Sequence, residues 1–185
     1  MSKVDSAKDL VRRLKHDPDE ASVGLLLKTY GPRLFGAAMG LCGNTTDAED
    51  LVIMTLQKAV HNIAGFHEQS SLFTWLYGIL YNQHLMLRRK YARSRMIYVD
   101  QLPETADESV AHPLEDIAAS ERAKELLAAI DQLPETMQDV VRLRYFGEMK
   151  IADIAKNLKI PVGTVKSRLF NALSQLKSFL STTSN

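Results

Sequence analysis

The spacing of apolar residues in the last third of the chain predicts two helices that meet at a tight corner. Between residues 150 and 158, apolar side chains recur at steps of three and four, which places them on one helical face. A second set repeats in the same way and predicts a buried stripe, made of Val162, Val165, Leu169, Leu173, Leu176 and Leu180. The corner ends in Pro161, and proline suits the start of a helix because no amide donor is needed there. This pattern is typical of a helix-turn-helix, in which the second helix enters the DNA major groove.

The helix pair has two interpretations, an ordinary helical hairpin and a DNA-binding motif that reads base sequence. The composition of the polar side of the second helix helps to distinguish them. No acidic residue occurs between Pro161 and Leu180, whereas lysine and arginine are present. Basic side chains neutralise phosphates, and serine and asparagine reach base edges, so the composition favours the reader. Periodicity alone is compatible with both interpretations. The predicted DNA contacts are Thr164, Lys166, Ser167, Arg168, Phe170 and Asn171.

Helical periodicity runs through the rest of the chain and predicts an all-α fold. Helices are predicted over residues 5–15, 21–41, 72–95, 119–130 and 133–146, and another is predicted to begin at a capping box in residues 46–49. The dipeptide Gly31-Pro32 should kink or briefly interrupt the second of these helices. No alternation of apolar and polar residues marks a strand.

Charge is distributed in blocks, although the formal net charge is only +1. A basic cluster, consisting of Arg88, Arg89, Lys90, Arg93 and Arg95, precedes a segment that contains acids and no lysine or arginine. Because that segment also has two prolines and little periodicity, it is predicted to be a flexible acidic linker. The prediction is therefore two small helical domains, at residues 1–96 and 119–185, joined by a linker at 97–118.

Nothing in the sequence supports catalysis or a bound cofactor. The five histidines are scattered, and neither a glycine-rich phosphate loop nor a nucleophile–base arrangement stands out. The single cysteine, Cys42, is interpreted either as a small buried apolar residue or as a reactive thiol. No apolar run approaches the roughly 20 residues of a membrane span, and the N-terminus lacks a signal-peptide core. We expect a cytoplasmic protein without a metal, cofactor, small-molecule substrate or membrane insertion.

The C-terminal pattern resembles a known family. PVGTVKSRLF is similar to the recognition helix of bacterial sigma factors of the small extracytoplasmic-function (ECF) group, and LPETMQDVVRLRYFGEMKIADIA resembles the rest of that family's fourth conserved region. The resemblance implies that residues 119–185 read the upstream, minus-thirty-five promoter element. Lys150 stands where the family usually has a serine cap, which predicts a poorly capped helix. Arg142 and Arg144 are interpreted either as phosphate contacts or as partners of a helix C-terminus.

A second resemblance lies in the N-terminal half. TDAEDLVIMTLQKAV is similar to the family's second conserved region, whose helix docks on the clamp coiled coil of RNA polymerase. The resemblance implies a polymerase-contact surface made of Asp47, Glu49, Asp50, Leu51, Ile53 and Met54. Helix capping alone is the other explanation of the acids, because the helix dipole favours carboxylates in a first turn. The chain departs from the family at Ile53 and Met54, where polar residues are usual.

The segment FTWLYGILYN resembles the family's promoter-melting segment, and the loop before it corresponds to the one that captures a flipped base of the downstream, minus-ten element. Aromatic rings stack on unpaired bases, and cations follow the backbone. The implied contacts are Phe66, His67, Trp75, Asn82, Arg88 and Arg89. Core packing is the alternative for the aromatic residues of this segment, Phe73, Trp75, Tyr77 and Tyr81, and is preferred for Trp75.

Together these resemblances imply a promoter-selecting subunit that binds core RNA polymerase and promoter DNA, with an anti-sigma factor as the expected regulator. The linker is either a passive tether or a segment that threads the polymerase cleft. Two other functions remain open. One is a sigma-like decoy that sequesters an anti-sigma factor, which Ile53 and Met54 favour. The other is an autonomous helix-turn-helix regulator, which leaves the N-terminal resemblance unexplained.

Overall fold

The computed structural model describes residues 3–97 and 121–183, which belong to two compact units. The first unit contains α1 (Lys3–His16), α2 (Glu20–Cys42), α3 (Thr45–Asn62), a 3-10 turn (Ile63–Gly65) and α4 (Leu72–Ile97). The second contains α5 (Glu121–Asp131), α6 (Glu135–Val141), a π turn (Arg142–Phe146), α7 (Ile151–Leu158) and α8 (Val162–Thr183). These residues form no strand, and the predicted all-α fold is confirmed. The predicted linker lies outside the described residues, apart from Ile97.

The core of the first unit forms where α3 packs against both α2 and α4, while α1 covers α2. The predicted helix over residues 5–15 is confirmed as α1, and its apolar residues Leu10, Val11 and Leu14 are all buried. The predicted apolar side of α3 is also buried from Ala48 to Ala59. Its one hydroxyl, on Thr55, donates to the Leu51 carbonyl at 2.7 Å, so this polar group is buried without losing its hydrogen bond.

Three aromatic residues of α4 lie inside this core. Phe73, Tyr77 and Tyr81 are spaced four residues apart and therefore share one helical face, and their ring centroids are 6.0 and 6.2 Å apart. The guanidinium of Arg33, from α2, lies 3.5 Å from the centroid of the Phe73 ring. All three rings are buried. The interpretation of these residues as an aromatic surface is wrong, and the core alternative is correct.

Helix α2 continues through Pro32 without the interruption that was one of the two predicted outcomes at Gly31-Pro32. Proline costs a helix interior about 3 kcal/mol. Leu26, Leu34 and Ala38 are buried on either side of it, and a fully buried leucine contributes about 1.5–3 kcal/mol. Packing along the whole face therefore outweighs the lost hydrogen bond. Leu27, the neighbour of the buried Leu26, is exposed.

The junction between α2 and α3 differs from the predicted capping box. Helix α2 ends at Gly43, whose φ of 75° lies in the left-handed region that glycine tolerates. Asn44 then caps α3, because its side-chain oxygen accepts from the Asp47 amide at 2.9 Å. Its amide nitrogen donates to the Asp47 carboxylate, also at 2.9 Å. Thr46, the predicted cap, lies within the helix.

The second unit is built around α8, which packs against α5, α6 and α7. Its buried stripe is Val165, Leu169, Ala172 and Leu176. The prediction placed Leu173 in this stripe, but Leu173 is 45% exposed and Ala172 is buried in its place. Neighbouring positions lie about 100° apart on a helix, so periodicity could not separate them. Val162 was also predicted to be buried and is exposed.

Two arginines of the π turn hold the second unit together. Arg142 is buried and forms an ion pair with Asp131 at the end of α5, with 2.5 Å between Nη2 and Oδ1. Arg144 donates from Nη1 to the Met149 carbonyl at 2.8 Å. These bonds link α5, the π turn and the segment before α7. The sequence interpretations named a DNA phosphate or a helix C-terminus, whereas the structure shows a carboxylate as the partner of Arg142 and a loop carbonyl as that of Arg144.

Candidate nucleic-acid and polymerase interfaces

The corner between α7 and α8 is formed by a lysine whose backbone is in the left-handed conformation and by a proline. Lys159 has φ 56° and ψ 45°, and its amide bonds to the Ala155 carbonyl. The Ile160 amide bonds to the same carbonyl at 3.0 Å, which ends α7. The Pro161 carbonyl then accepts from the amides of Thr164 and Val165 at 3.0 and 3.2 Å, so Pro161 immediately precedes α8. These bonds produce the predicted helix-turn-helix.

Helix α7, the first helix of this pair, begins without a side-chain cap. Lys150 occupies the cap position with extended backbone angles, and its side chain bonds to none of the first-turn amides. Lysine has no acceptor atom on its side chain, so it cannot replace serine in this role. The predicted poor capping of this helix is confirmed.

The exposed side of α8 carries most of the residues predicted to contact the upstream element. Lys166, Ser167, Phe170 and Asn171 are exposed, whereas Thr164 and Arg168 are half-buried. Phe170 is unusually exposed for an aromatic residue, at 74%. The Ser167 hydroxyl donates to the Thr164 carbonyl at 3.1 Å, which leaves its oxygen lone pairs available as acceptors. The exposed face therefore offers one cation, an amide, a hydroxyl and one large ring.

The charge on and around this face has a single sign. From Asp153 to the end of the chain the sequence contains no further acid, and its cations are Lys156, Lys159, Lys166, Arg168 and Lys177. An acid-free helix face with scattered cations attracts a polyanion without repelling it locally. This distribution suits a surface that approaches DNA phosphates.

The residues predicted to contact the minus-ten element are not all on the surface. Phe66 is 4% exposed and packs on Trp75, with ring centroids 5.3 Å apart. Lys15 donates from Nζ to the Phe66 carbonyl at 2.7 Å. The assignment of Phe66 as a DNA contact is therefore corrected, because its ring anchors the loop instead of extending from it. His67, the next residue, is exposed.

The outer side of α4 carries the other predicted minus-ten contacts. Asn82 and Arg89 are exposed and lie seven residues apart, which is about two helical turns, so they share a face with the exposed Met86. Arg88 and Trp75 are half-buried. At the start of this helix the Ser71 hydroxyl oxygen accepts from the Thr74 amide at 3.0 Å. The described part of the basic cluster thus presents Arg89 and Lys90 to solvent, while the side chains of Arg93 and Arg95 lie outside the described residues.

The predicted polymerase-contact residues lie in the first three turns of α3. Glu49, Asp50 and Ile53 are exposed, Ile53 by 53%, and Met54 is half-buried. Asp47 is half-buried and bound by Asn44. Leu51 is entirely buried, so its assignment as a contact is corrected: it belongs to the core that supports the helix. The helix-capping explanation applies to Asp47, whereas Glu49 and Asp50 have no capping bond among the described contacts.

Two structural residues of the first unit escaped the sequence analysis. Lys15 was assigned only to an amphipathic helix, and no local pattern indicates its bond to Phe66, 51 positions away. The predicted capping box began at residue 46 and left out Asn44, although asparagine before a helical pattern is a recognised capping signal. That signal could have identified the cap of α3.

The single cysteine has no features of a reactive thiol. Cys42 is half-buried, and burial, with a smaller contribution from the nearby Asp47 carboxylate, raises the pKa of its thiol to about 11. It is therefore protonated at neutral pH, which favours the apolar interpretation. Among the described residues, no group of histidine, cysteine and acidic side chains is arranged to hold a metal ion. The helices in the described ranges are also too short or too polar to span a membrane.

Comparison with known proteins accounts for both units. The family model of sigma-70 region 2 matches residues 26–94, and that of sigma-70 region 4 matches residues 123–176. The chain is 30% identical over 173 residues to the RNA polymerase sigma-H factor of Pseudomonas aeruginosa, with 88% of each chain covered. It is 34% identical over 152 residues to the ECF RNA polymerase sigma factor EcfG of Rhodopseudomonas palustris, with 80% of each covered.

Solved structures agree with this result. The sigma factor RpoE, solved in complex with the anti-sigma factor NepR from Bartonella quintana, matches with a TM-score of 0.66 at 26% identity, over 85% of this chain and 96% of that one. CnrH, solved with the cytosolic domain of CnrY, shares the fold with a TM-score of 0.63 at 20% identity, over 96% of this chain and 99% of that one. The chain belongs to the sigma-70 family of RNA polymerase sigma factors. Within that family it is a member of the ECF group, whose proteins are transcription initiation factors and not enzymes.

Proposed function

We propose that this protein directs bacterial RNA polymerase to specific promoters as a dissociable ECF sigma subunit. The observation that carries the proposal is the exposed, acid-free face of α8 in a helix-turn-helix, within a chain that matches both sigma-70 regions. In this assignment residues 1–96 bind the polymerase core and the minus-ten element, and residues 119–185 read the minus-thirty-five element. The segment 97–118 joins them as a tether or as an acidic segment in the polymerase cleft.

The side chains of α8 support a division of roles between base and phosphate contacts. Asparagine is suited to paired hydrogen bonds with adenine, and lysine to the acceptors of guanine. Asn171 and Lys166 are exposed and are the base readers in this proposal, with Ser167 and Phe170 between them. Arg168 is half-buried at the flank of this face and is assigned to a backbone phosphate. Thr164, also half-buried, is assigned to the same edge.

The outer face of α3 supports a contact with core polymerase. Glu49 and Asp50 offer carboxylates that can form charge-assisted hydrogen bonds with a basic surface. Ile53 adds an exposed apolar side chain one turn further along. The minus-ten contacts in this proposal are His67, Trp75, Asn82, Arg88 and Arg89, without the buried Phe66.

The setting of this function is the cytoplasm, where bacterial RNA polymerase acts, and the proposed regulator is an anti-sigma factor. RpoE, which is 26% identical to this chain, was solved in complex with the anti-sigma factor NepR, and this relative supports the proposal. No small-molecule substrate, metal or cofactor enters this proposal.

A decoy that sequesters an anti-sigma factor is the second candidate, and the exposure of Ile53 favours it. An apolar side chain at a surface where the family usually has polar residues could weaken polymerase binding while leaving another partner bound. The autonomous regulator is less well supported, because the region 2 match accounts for the first unit and that function leaves it unused.

Transcription with purified core polymerase on a library of promoters separates these functions. Initiation that depends on this protein, with one shared upstream sequence among the recovered promoters, is the expected result. Binding to an anti-sigma factor without any initiation would favour the decoy. Specific duplex binding by the protein alone, again without initiation, would favour the autonomous regulator.

A further inference from the structure

A shallow basic groove lies beside α1 in the first unit. Its volume is about 520 Å³, and it is lined by Lys8, Val11, Arg12, Lys15, His16 and Glu68. The groove joins α1 to the loop that follows α3, and α1 also packs on the 3-10 turn that opens this loop. The region 2 match begins at residue 26, so α1 lies outside the matched part of the chain. None of its lining residues is among the individual contacts proposed above.

The cations of the groove are aligned by helical spacing. Lys8, Arg12 and Lys15 lie four and three positions apart, which places them on one face of α1. All three are exposed residues. With His16 taken as neutral, the ionised lining carries three positive charges and one negative charge, from Glu68. The net charge of the lining is thus 3 − 1 = +2, which suits an anionic ligand.

One contact connects this face to the loop, and a second, within α1, leaves Arg12 able to bind another anion. Lys15 donates to the Phe66 carbonyl, so α1 fixes the residue that immediately precedes the exposed His67. Arg12 pairs with Asp9 on its own helix at 2.6 Å, but its side chain is 81% exposed. Such an exposed pair adds little stability, so the guanidinium can exchange Asp9 for another anion. A nucleotide held at His67 would have its neighbouring phosphates close to this face.

We propose that the groove binds backbone phosphates of single-stranded promoter DNA next to the nucleotide that enters the loop. Lys8 and Arg12 are the phosphate contacts, and Lys15 is a positioning residue that holds the loop. This inference rests on the proposed function, because it requires that the loop receives an unpaired strand. Flexible cations beside a base-binding site are the usual means by which proteins hold a single strand.

The test compares RNA polymerase holoenzymes on two DNAs taken from a promoter that the library experiment recovers. The first is a fork with a single-stranded non-template extension across the minus-ten element, and the second is the same upstream duplex without the extension. One sigma variant combines Lys8→Gln with Arg12→Gln. The matched control combines Arg13→Gln with Lys28→Gln, which removes the same charge from exposed residues of the first unit outside the groove. Affinity for each DNA is measured over a range of salt concentrations.

For the fork, the groove variant should bind more weakly than wild type, and its slope of log affinity against log salt should be shallower by about 1.4, the equivalent of two single-strand phosphate contacts. Binding to the duplex without an extension, and to core polymerase, should be unchanged. The control variant should retain the wild-type slope on both DNAs.

Three results would overturn the inference. The first is an unchanged salt slope for the fork in the groove variant, which would leave an acidic protein segment as the ligand. The second is an equal loss of affinity for both DNAs in the groove variant. The third is an equal loss of affinity for the fork in the control variant. Failure of the proposed function is distinguishable, because in that case wild-type holoenzyme would itself show no preference for the fork.

Discussion

The two proposed DNA-binding surfaces are built in different ways. On α8 the contacts extend from a regular helix whose opposite face is packed against three other helices. In the first unit the corresponding loop has an irregular backbone, with Glu68 at a φ of 56°. It is fixed by the buried ring of Phe66 and by Lys15 of α1, which binds the Phe66 carbonyl. A helix presents side chains in fixed directions before DNA arrives, whereas a loop needs anchors to do so. The comparison therefore separates residues that contact DNA from residues that hold a contact in place.

Two phenylalanines provide the largest expected contrast. Phe66 is buried against Trp75, so Phe66→Ala should destabilise the first unit by about 3–5 kcal/mol through the cavity it leaves. Phe170 is exposed, so Phe170→Ala should change stability by no more than about 0.5 kcal/mol. Denaturant unfolding of the two variants measures both values. If Phe66→Ala and Phe170→Ala destabilised the protein equally, Phe66 could not be called an anchor residue and Phe170 a contact residue.

The same contrast explains how much of the molecule could be predicted from sequence. Helical periodicity indicated α1, α3 and α8, and four of the six residues predicted to read DNA on α8 are indeed exposed. It could not distinguish Leu173 from Ala172, because adjacent positions border the same stripe. It also could not tell which side of α4 faces the core, since an aromatic side chain suits both stacking and packing. The residue roles at both surfaces remain predictions.

Loop structure was less accessible to sequence reasoning for a physical reason. Phe66 is buried through contact with Trp75, nine residues further on, and its carbonyl is bound by Lys15, 51 positions earlier. Neither contact has a period that a local pattern can show. The sequence correctly placed Phe66 in a loop between helices, but it could not show that the ring turns inward.

The polymerase surface is expected to show the next largest effect. Asp50→Arg should weaken binding to core polymerase by roughly 1–3 kcal/mol, because it replaces a charge-assisted acceptor with a cation. Glu49→Gln, one position away in the same proposed surface, is a milder companion variant that removes charge without reversing it. Core affinity is measured with labelled protein, and circular dichroism should show unchanged helix content. Wild-type affinity in the Asp50 variant would remove this residue from the interface.

The smallest expected effect concerns the uncapped start of α7. Lys150→Ser supplies the missing acceptor and should stabilise the second unit by about 0.5–1 kcal/mol. Thermal unfolding of the full chain measures the change, and Lys150→Ala serves as a control that removes the lysine without adding a cap. Equal stability of the serine and alanine variants would mean that the extended backbone at residue 150 does not allow the capping geometry.

In the proposed function, exposed side chains of α8 read bases while Arg168 binds phosphate. Promoter-library selection with Asn171→Ala and Arg168→Ala holoenzymes, at two salt concentrations, tests it directly. Asn171→Ala should cost about 1–3 kcal/mol and relax the preference at one base position. Arg168→Ala should weaken all sequences alike and reduce the dependence on salt. If Asn171→Ala keeps the wild-type sequence preference and Arg168→Ala alters it at one base, the assignment of base and phosphate roles on α8 is contradicted.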